Sequence, residues 1–322
     1  MSGEFRLTAF LLVLGLLLLL VGAEFLVKGA AALATRIGVS PFLIGLTLVG
    51  FGTSSPELVA SLEGAFQGYP GIAVGNVVGS NIANILLILG AAGLVFPMVC
   101  DRGALKRDGT MMLLAALALL GVCLLGSLSR EAGFVFLAVL ALYLVYTYRA
   151  DRKGQDGGGE LHASEAEFLR SRTPMSLVIE IVMTIGGLAA LVVGASLLVD
   201  SSVKIAEGFG ISDSVIGLTL VAVGTSLPEL ATSVLAAFRR KADIAIGNVI
   251  GSNIFNVLGI AGTVAVVKPI AVPADIASFD IWVMMAASVV FMVLAWTGAR
   301  IGRIEALALL VGYGAYVTFL LR

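Results

Sequence analysis

Apolar residues run through this chain in blocks long enough to cross a bilayer, separated by short polar breaks. A helix rising about 1.5 Å per residue needs about 20 mostly apolar residues to cross a hydrocarbon core of about 30 Å. Ten blocks meet that requirement: 7–35, 41–67, 71–96, 109–128, 131–149, 175–203, 212–238, 242–267, 276–297 and 303–321. The first contains LTAFLLVLGLLLLLVGAEFLV, too long for a signal-peptide core and without a dominant basic leader, so it reads as a retained span. The one long hydrophilic stretch, 150–174, is charged and rich in glycine, the composition of a linker. It divides the ten blocks five and five. The pattern therefore predicts an all-α membrane protein with ten transmembrane helices: one five-helix half over 1–150, a linker over 151–174, and a second half over 175–322.

The halves repeat each other. Shifting the sequence by 172 residues lays 38–90 on 210–262 without a gap, and 30 of the 53 aligned positions are identical. GLTLVGFGTSSPEL (45–58) falls on GLTLVAVGTSLPEL (217–230), and IAVGNVVGSNIAN (72–84) on IAIGNVIGSNIFN (244–256). The shared positions are the polar and glycine ones, which a mere apolar scaffold would not retain. Five spans per half make the copies antiparallel, and inverted repeats of this kind place their site near the bilayer midplane, at the interface between copies.

Composition agrees with a bilayer as solvent. The chain has 322 residues, 59% hydrophobic and 13% charged, where a soluble domain carries roughly a quarter charged. There is no basic stripe of the kind that binds nucleic acid. Two cysteines, Cys100 and Cys123, imply no disulfide framework, and a single histidine, His162, excludes a histidine-rich metal site. Lysine and arginine predict orientation: the odd-numbered loops carry fourteen of them and the other side five. That places the odd loops and the 151–174 segment in the cytoplasm of a cell with this protein in its plasma or inner membrane, and both termini outside.

The repeated segments hold the chemistry. Each puts Gly-Thr-Ser-x-Pro-Glu inside an apolar helix, as Gly52, Thr53, Ser54, Pro56, Glu57 and as Gly224, Thr225, Ser226, Pro228, Glu229. Proline lacks the amide hydrogen and clashes with the carbonyl four residues back, so each helix should break there. Broken backbone at membrane depth is tolerated where it is buried or lines a cavity, and carbonyls of Val49, Gly50, Val221 and Ala222 become candidate ligands. Glu57 and Glu229 then sit about one turn beyond the break. An ionised side chain at the bilayer centre costs about 2.5–3.5 kcal/mol or more, so the pair calls for cations or protons. The following helices add neutral oxygen from Asn76, Ser80, Asn81 and Asn84, and from Asn248, Ser252, Asn253 and Asn256. Gly75 and Gly79, like Gly247 and Gly251, form the small-x-x-x-small pattern of close helix packing. Together these are hard oxygen ligands, suited to calcium and to sodium and unsuited to zinc or copper. Elsewhere, Glu24 and Lys28 are an i,i+4 pair on the first span. Glu180, Asp280 and Glu305 lie near span ends, from which they are expected to reach the interface.

The doubled GTS-x-PE and GN-x-x-GSN-x-x-N segments resemble the alpha repeats of the calcium/cation antiporter superfamily, whose best-known members are sodium/calcium exchangers. The resemblance implies a ten-helix exchanger with alternating access. It assigns cation binding to Thr53, Ser54, Glu57, Ser80 and Asn84, to Thr225, Ser226, Glu229, Ser252 and Asn256, and to the carbonyls of Gly50 and Ala222. Glu57, Glu229, Asn84 and Asn256 would be the metal-binding core. Well-known members carry an acid at the position of Asn256, so this site holds two formal negative charges where theirs holds three. The expected function is secondary antiport of cytoplasmic calcium against external sodium, with protons as the alternative coupling ion. The transported ions serve in place of any cofactor, and the bilayer is the expected surrounding. A passive channel is less compatible with two half-sites in one chain, since channel filters are commonly built from rings of subunits. An enzyme would need a zinc motif or a nucleophile–base pair, and the Thr-Ser pairs have no histidine beside them. The 151–174 loop is too short for a calcium-sensing domain, and no segment marks a protein partner.

Overall fold

The computed structural model describes residues 3–37, 52–99, 102–152, 176–240, 242–298 and 300–322. Most of the linker, Cys100 and the first part of the second predicted span, including Val49 and Gly50, lie outside these residues. The architecture is all-α. Helices α1 (Gly3–Arg36), α2 (Ser55–Gln67), α3 (Pro70–Val95), α4 (Leu105–Leu124) and α5 (Arg130–Arg152) form the first half. The second has α6 (Leu177–Phe209), α7 (Asp213–Thr225), α8 (Leu227–Phe238), α9 (Ile244–Val267), α10 (Ile276–Gly298) and α11 (Arg303–Leu320). Among the described residues eight helices are long and apolar enough to span a bilayer. The pair α7 and α8, bent by 48° at its break, makes a ninth.

At 34 and 33 residues, α1 and α6 run about 50 Å, well beyond the hydrocarbon thickness, so they cross at a tilt. They pack antiparallel along a stripe of glycines spaced by seven. A Cβ on Gly15 would lie 2.9 Å from the Gly194 carbonyl oxygen, and one on Gly22 2.9 Å from that of Gly187. Without a hydrophobic drive between helices in lipid, this backbone approach supplies the van der Waals contact that holds the pair.

The two most buried spans are α3 and α9, the ones that carry the repeated Gly-Asn pattern. Val78, Ile82, Ile85 and Leu89 from α3, with Val249, Ile254 and Ile260 from α9, form the centre of the core. The outer helices turn Leu142, Val178 and Val311 toward lipid. Glycine spacing on α3 matches its role: Gly75 and Gly79 meet the backbone of α7 at Leu218. Gly251 finds nothing within 4 Å among the described residues, and most of the segment equivalent to α7 in the first copy, 41–53, lies outside them.

Two short antiparallel strand pairs tie the halves together, a feature absent from the helix-only expectation. β1 (Met98–Val99) pairs with β4 (Arg300–Ile301), and β2 (Ser127–Leu128) with β3 (Ile270–Ala271). Two-residue strands carry too little pattern to be read from sequence. In the predicted loop numbering, loop three thus meets loop nine, and loop four meets loop eight. Other contacts keep the same parity: Gly71 donates its amide to Asp213 at 3.0 Å, and Lys268 donates to the Phe66 carbonyl at 3.0 Å. Odd loops meet odd loops and even meet even, as a chain that crosses at every span requires.

The Glu24–Lys28 ion pair forms, on an exposed stretch of α1. Two other acids near span ends take partners from another helix. Glu180 is buried, and Arg36, itself 45% exposed, grips it through two bonds of 2.8 Å, joining the ends of α1 and α6. Asp280 is buried as well, accepting from the Tyr316 hydroxyl at 2.9 Å. In both cases the partner satisfies the carboxylate where it stands. Tyr316→Phe is expected to destabilise the protein by about 1.5–3 kcal/mol, because a buried carboxylate loses its donor. Thermal unfolding of the purified protein measures it, and an unchanged midpoint would mean the carboxylate has another donor.

Candidate cation-binding site

In both repeats a helix starts directly after the Thr-Ser step, and in the second a helix also ends there. Ser54 (φ −87°, ψ 11°) and Ser226 (φ −82°, ψ 9°) leave the helical range, and α2 and α8 begin at the next residue. Pro56 and Pro228 then occupy the first turn of the new helix, where a missing amide hydrogen costs nothing. Glu57 and Glu229 follow three residues after Ser54 and Ser226, about one turn on, within the first turn of the new helix. There the positive end of the helix dipole favours a carboxylate.

The two copies exchange hydrogen bonds across their interface. Ser54 Oγ of the first donates to Glu229 Oε1 of the second at 2.8 Å, and Ser226 Oγ of the second donates to Glu57 Oε1 of the first at 2.8 Å. Ser252 Oγ lies 3.5 Å from Glu229 Oε1 and 3.3 Å from Ser54 Oγ. Glu57 exposes 1% of its surface and Glu229 0%.

Each glutamate keeps its second oxygen unused. Glu57 Oε2, Glu229 Oε2, Asn84 Oδ1 and both amide atoms of Asn256 are buried without a hydrogen-bond partner among the described residues. Thr53 Oγ1 has no well-formed bond either and lies beside the Glu229 carboxylate. An unsatisfied buried polar group costs about 1–3 kcal/mol, and more when charged. These atoms are therefore the candidates for holding a cation. Asn84 and Asn256 each open a π-helical turn, Asn84–Ile88 and Asn256–Ala261, which shifts the helix register where the amide points inward. Among the described residues no three His, Cys, Asp or Glu side chains gather as a metal cluster, so the charge of the site comes from the two glutamates.

Three expectations change. The Ala222 carbonyl is not freed by the break: it accepts from the Ser226 amide at 3.1 Å, with the Thr225 and Ser80 hydroxyls at 3.3 and 3.5 Å. The Val221 carbonyl likewise takes the Thr225 hydroxyl at 3.0 Å. Thr225 itself also reaches Asn76 Oδ1 at 3.1 Å, so its hydroxyl faces its own helix and the neighbouring amide while Thr53 stays unengaged. Gly50, the remaining predicted carbonyl ligand, lies outside the described residues.

Asn76 and Asn248 turn out to be braces. Asn76 Nδ2 donates to the Glu57 carbonyl at 3.0 Å and to Ser61 Oγ at 2.9 Å, and Asn248 Nδ2 does the same to Glu229 at 3.4 Å and Ser233 at 3.0 Å. Ser61 and Ser233 went unnoticed as functional positions. Their signal was present: both are serine, one helical turn after the glutamate, at equivalent places in the two copies. Asn81 bonds back to the Val77 carbonyl at 2.7 Å, whereas Asn253 Oδ1 accepts from Asn84 Nδ2 at 3.0 Å.

Two copies that each bring a buried carboxylate to the other copy's serine, in a chain of apolar spans, mark the class as an inverted-repeat membrane transporter. The sequence profile of the sodium/calcium exchanger protein family matches residues 7–149 and 179–322. Sodium/calcium exchanger MaX1 of Methanosarcina acetivorans is 40% identical over 343 residues, covering 96% of this chain and 97% of that protein. Inner membrane protein YrbG of Escherichia coli is 35% identical over 288 residues, covering 89% and 88%. A solved structure of the sodium-calcium exchanger NCX_Mj superposes with a TM-score of 0.65 at 33% identity, covering 97% of this chain and 98% of that one. The chain belongs to the sodium/calcium exchanger family.

Proposed function

We propose that this protein exports calcium from the cytoplasm in exchange for external sodium, by alternating access at the Glu57–Glu229 site. The observation that carries the reading is the pair of buried carboxylates, one from each inverted copy, each with one oxygen held by a serine of the other copy and one left over. Glu57, Glu229, Asn84 and Asn256 form the core of the cation site, with Thr53, Ser54, Ser80, Ser226 and Ser252 around it. Calcium takes six to eight oxygen ligands, and carboxylate, amide and hydroxyl oxygens are of that kind. Sodium coupling rests on the relatives named as sodium/calcium exchangers.

Charge count sets the stoichiometry in this proposal. Two carboxylates balance one calcium or two monovalent ions, whereas three sodium ions would leave a net positive charge in a poorly solvated site, at a cost. Asn256, which opens its π-turn with both amide atoms unpartnered, adds polarity without charge. Exchange of two monovalent ions per calcium is electroneutral. The distribution of lysine and arginine supports a cell-membrane orientation with the termini outside and the linker in the cytoplasm.

Calcium flux in proteoliposomes tests the reading, with imposed sodium and proton gradients compared at clamped voltage. A sodium gradient is expected to drive calcium, and a diffusion potential of either sign to change the rate less than about twofold. Flux driven by protons alone would replace sodium as the coupling ion. Strong voltage dependence would refute the two-for-one count, and indifference to both gradients would refute antiport.

A further inference from the structure

The far ends of α4 and α5 hold a groove of about 650 Å³ that opens sideways, toward the bilayer. At one end stand Lys106 and Tyr146, and at the other Leu114, Val139 and Leu142. Leu114 follows Lys106 by eight residues, about 12 Å along the helix, so the groove runs from the membrane interface into the hydrocarbon. Its apolar wall faces lipid: Leu114 is 55% exposed and Leu142 70%.

The polar end is built. Arg107 is turned inward onto Asp108, through Nε at 2.6 Å and a terminal nitrogen at 3.1 Å, and Asp108 also accepts from the Tyr143 hydroxyl at 2.8 Å. This balanced triad fixes the start of α4 against α5. Lys106 is left exposed, with no ion-pair partner among the described residues, and Arg102 and Arg149 are exposed at the same end. The fold does not itself demand these cations. At the equivalent place in the inverted copy, Asp280 again meets a tyrosine, Tyr316, but Lys106 and Arg107 are replaced by Ser278 and Phe279. The scaffold feature recurs in both halves, and the basic rim is found in one.

We propose that this groove seats an anionic phospholipid, its phosphate on Lys106, its glycerol region against Tyr146 and an acyl chain along Leu114, Val139 and Leu142. Basic pockets between transmembrane helices, with aromatic residues at headgroup level and an apolar continuation, have the chemistry for such a lipid. None of these residues belongs to the cation site.

Native mass spectrometry of the full chain in detergent tests this, with phosphatidylglycerol and phosphatidylcholine of identical acyl chains added together. Wild type is expected to retain phosphatidylglycerol about fivefold over phosphatidylcholine, the effect of one lysine near an anionic headgroup. Lys106→Gln should bring the ratio close to one. Leu142→Trp, on the exposed wall, should reduce retention of both lipids. Equal retention by wild type, or a preference that survives both substitutions, would overturn the proposal. Displacement of the lipid by millimolar inorganic phosphate would also overturn it, by making the groove a phosphate site without an acyl contact.

Discussion

Glu57→Gln and Glu229→Gln are each expected to lower gradient-driven calcium flux at least about 100-fold while the protein still folds. The substitution keeps side-chain volume and an oxygen that can accept from Ser226 or Ser54, the bonds seen at 2.8 Å in each half. What it removes is charge. A carboxylate and a divalent cation about 4 Å apart interact by roughly 8 kcal/mol at an effective dielectric of 20. About a third of that sum already matches the roughly 2.7 kcal/mol that corresponds to 100-fold. Without calcium the variants bury one ionisable group fewer, so thermal stability should hold or rise. Flux and a melting curve on the same preparation separate the outcomes. Normal flux in either variant would remove that glutamate from the site, and a melting point lowered by several degrees would show that the carboxylate is structural. Because the copies are equivalent, similar loss in both variants is expected, and a large difference would assign the ion to one half.

Gly79→Val is expected to prevent accumulation of folded protein. A Cβ at this position would stand 2.5 Å from the Leu218 carbonyl oxygen and 2.8 Å from the Ala222 Cβ. Both belong to a helix whose backbone is committed to the break at Ser226, so the neighbour cannot yield by rotating a side chain. Overpacking in a close-packed interior costs about 1–3 kcal/mol when side chains can shift, and more when backbone must. Displacing α3 from α7 would also carry Ser80 and Asn84 away from the glutamates. Gly312→Ala is the control: nothing lies within 4 Å of that added methyl, and alanine favours the helix over glycine. Size-exclusion profiles and membrane yield of the two variants make the comparison. Equal yields would mean that α3 and α7 are not held at the distance described.

Much of the site was legible because the chain states it twice. Glu57 and Glu229, Ser80 and Ser252, and Asn84 and Asn256 recur at one spacing in helices otherwise apolar, and polar groups at membrane depth persist only where they meet partners or ions. The breaks were legible for a local reason, since proline cannot complete the helix it enters. The exact position of the break was less so, because the new helix starts just after Ser54 and Ser226 and takes the prolines into its first turn.

The apolar blocks, the inverted duplication and the choice of candidate site residues are properties of residue order, and the sequence by itself determined them: helix periods and proline stereochemistry act over a few residues, and a repeat is visible without any contact. Tertiary structure decided which hydroxyls remain available. Thr53 and Thr225 are equivalent in sequence, yet one lies unengaged beside Glu229 and the other bonds to Asn76 and its own helix. It decided that Asn76 and Asn248 brace the glutamate backbone, that Glu180 and Asp280 stay buried with Arg36 and Tyr316, and that two-residue strands join the halves. The physical reason is common to all of these. A hydrogen bond or ion pair between residues on different helices, whether 19 positions apart as in Asn76 and Glu57 or 149 as in Thr225 and Asn76, forms only once packing has brought the helices together, and local sequence carries no record of that meeting.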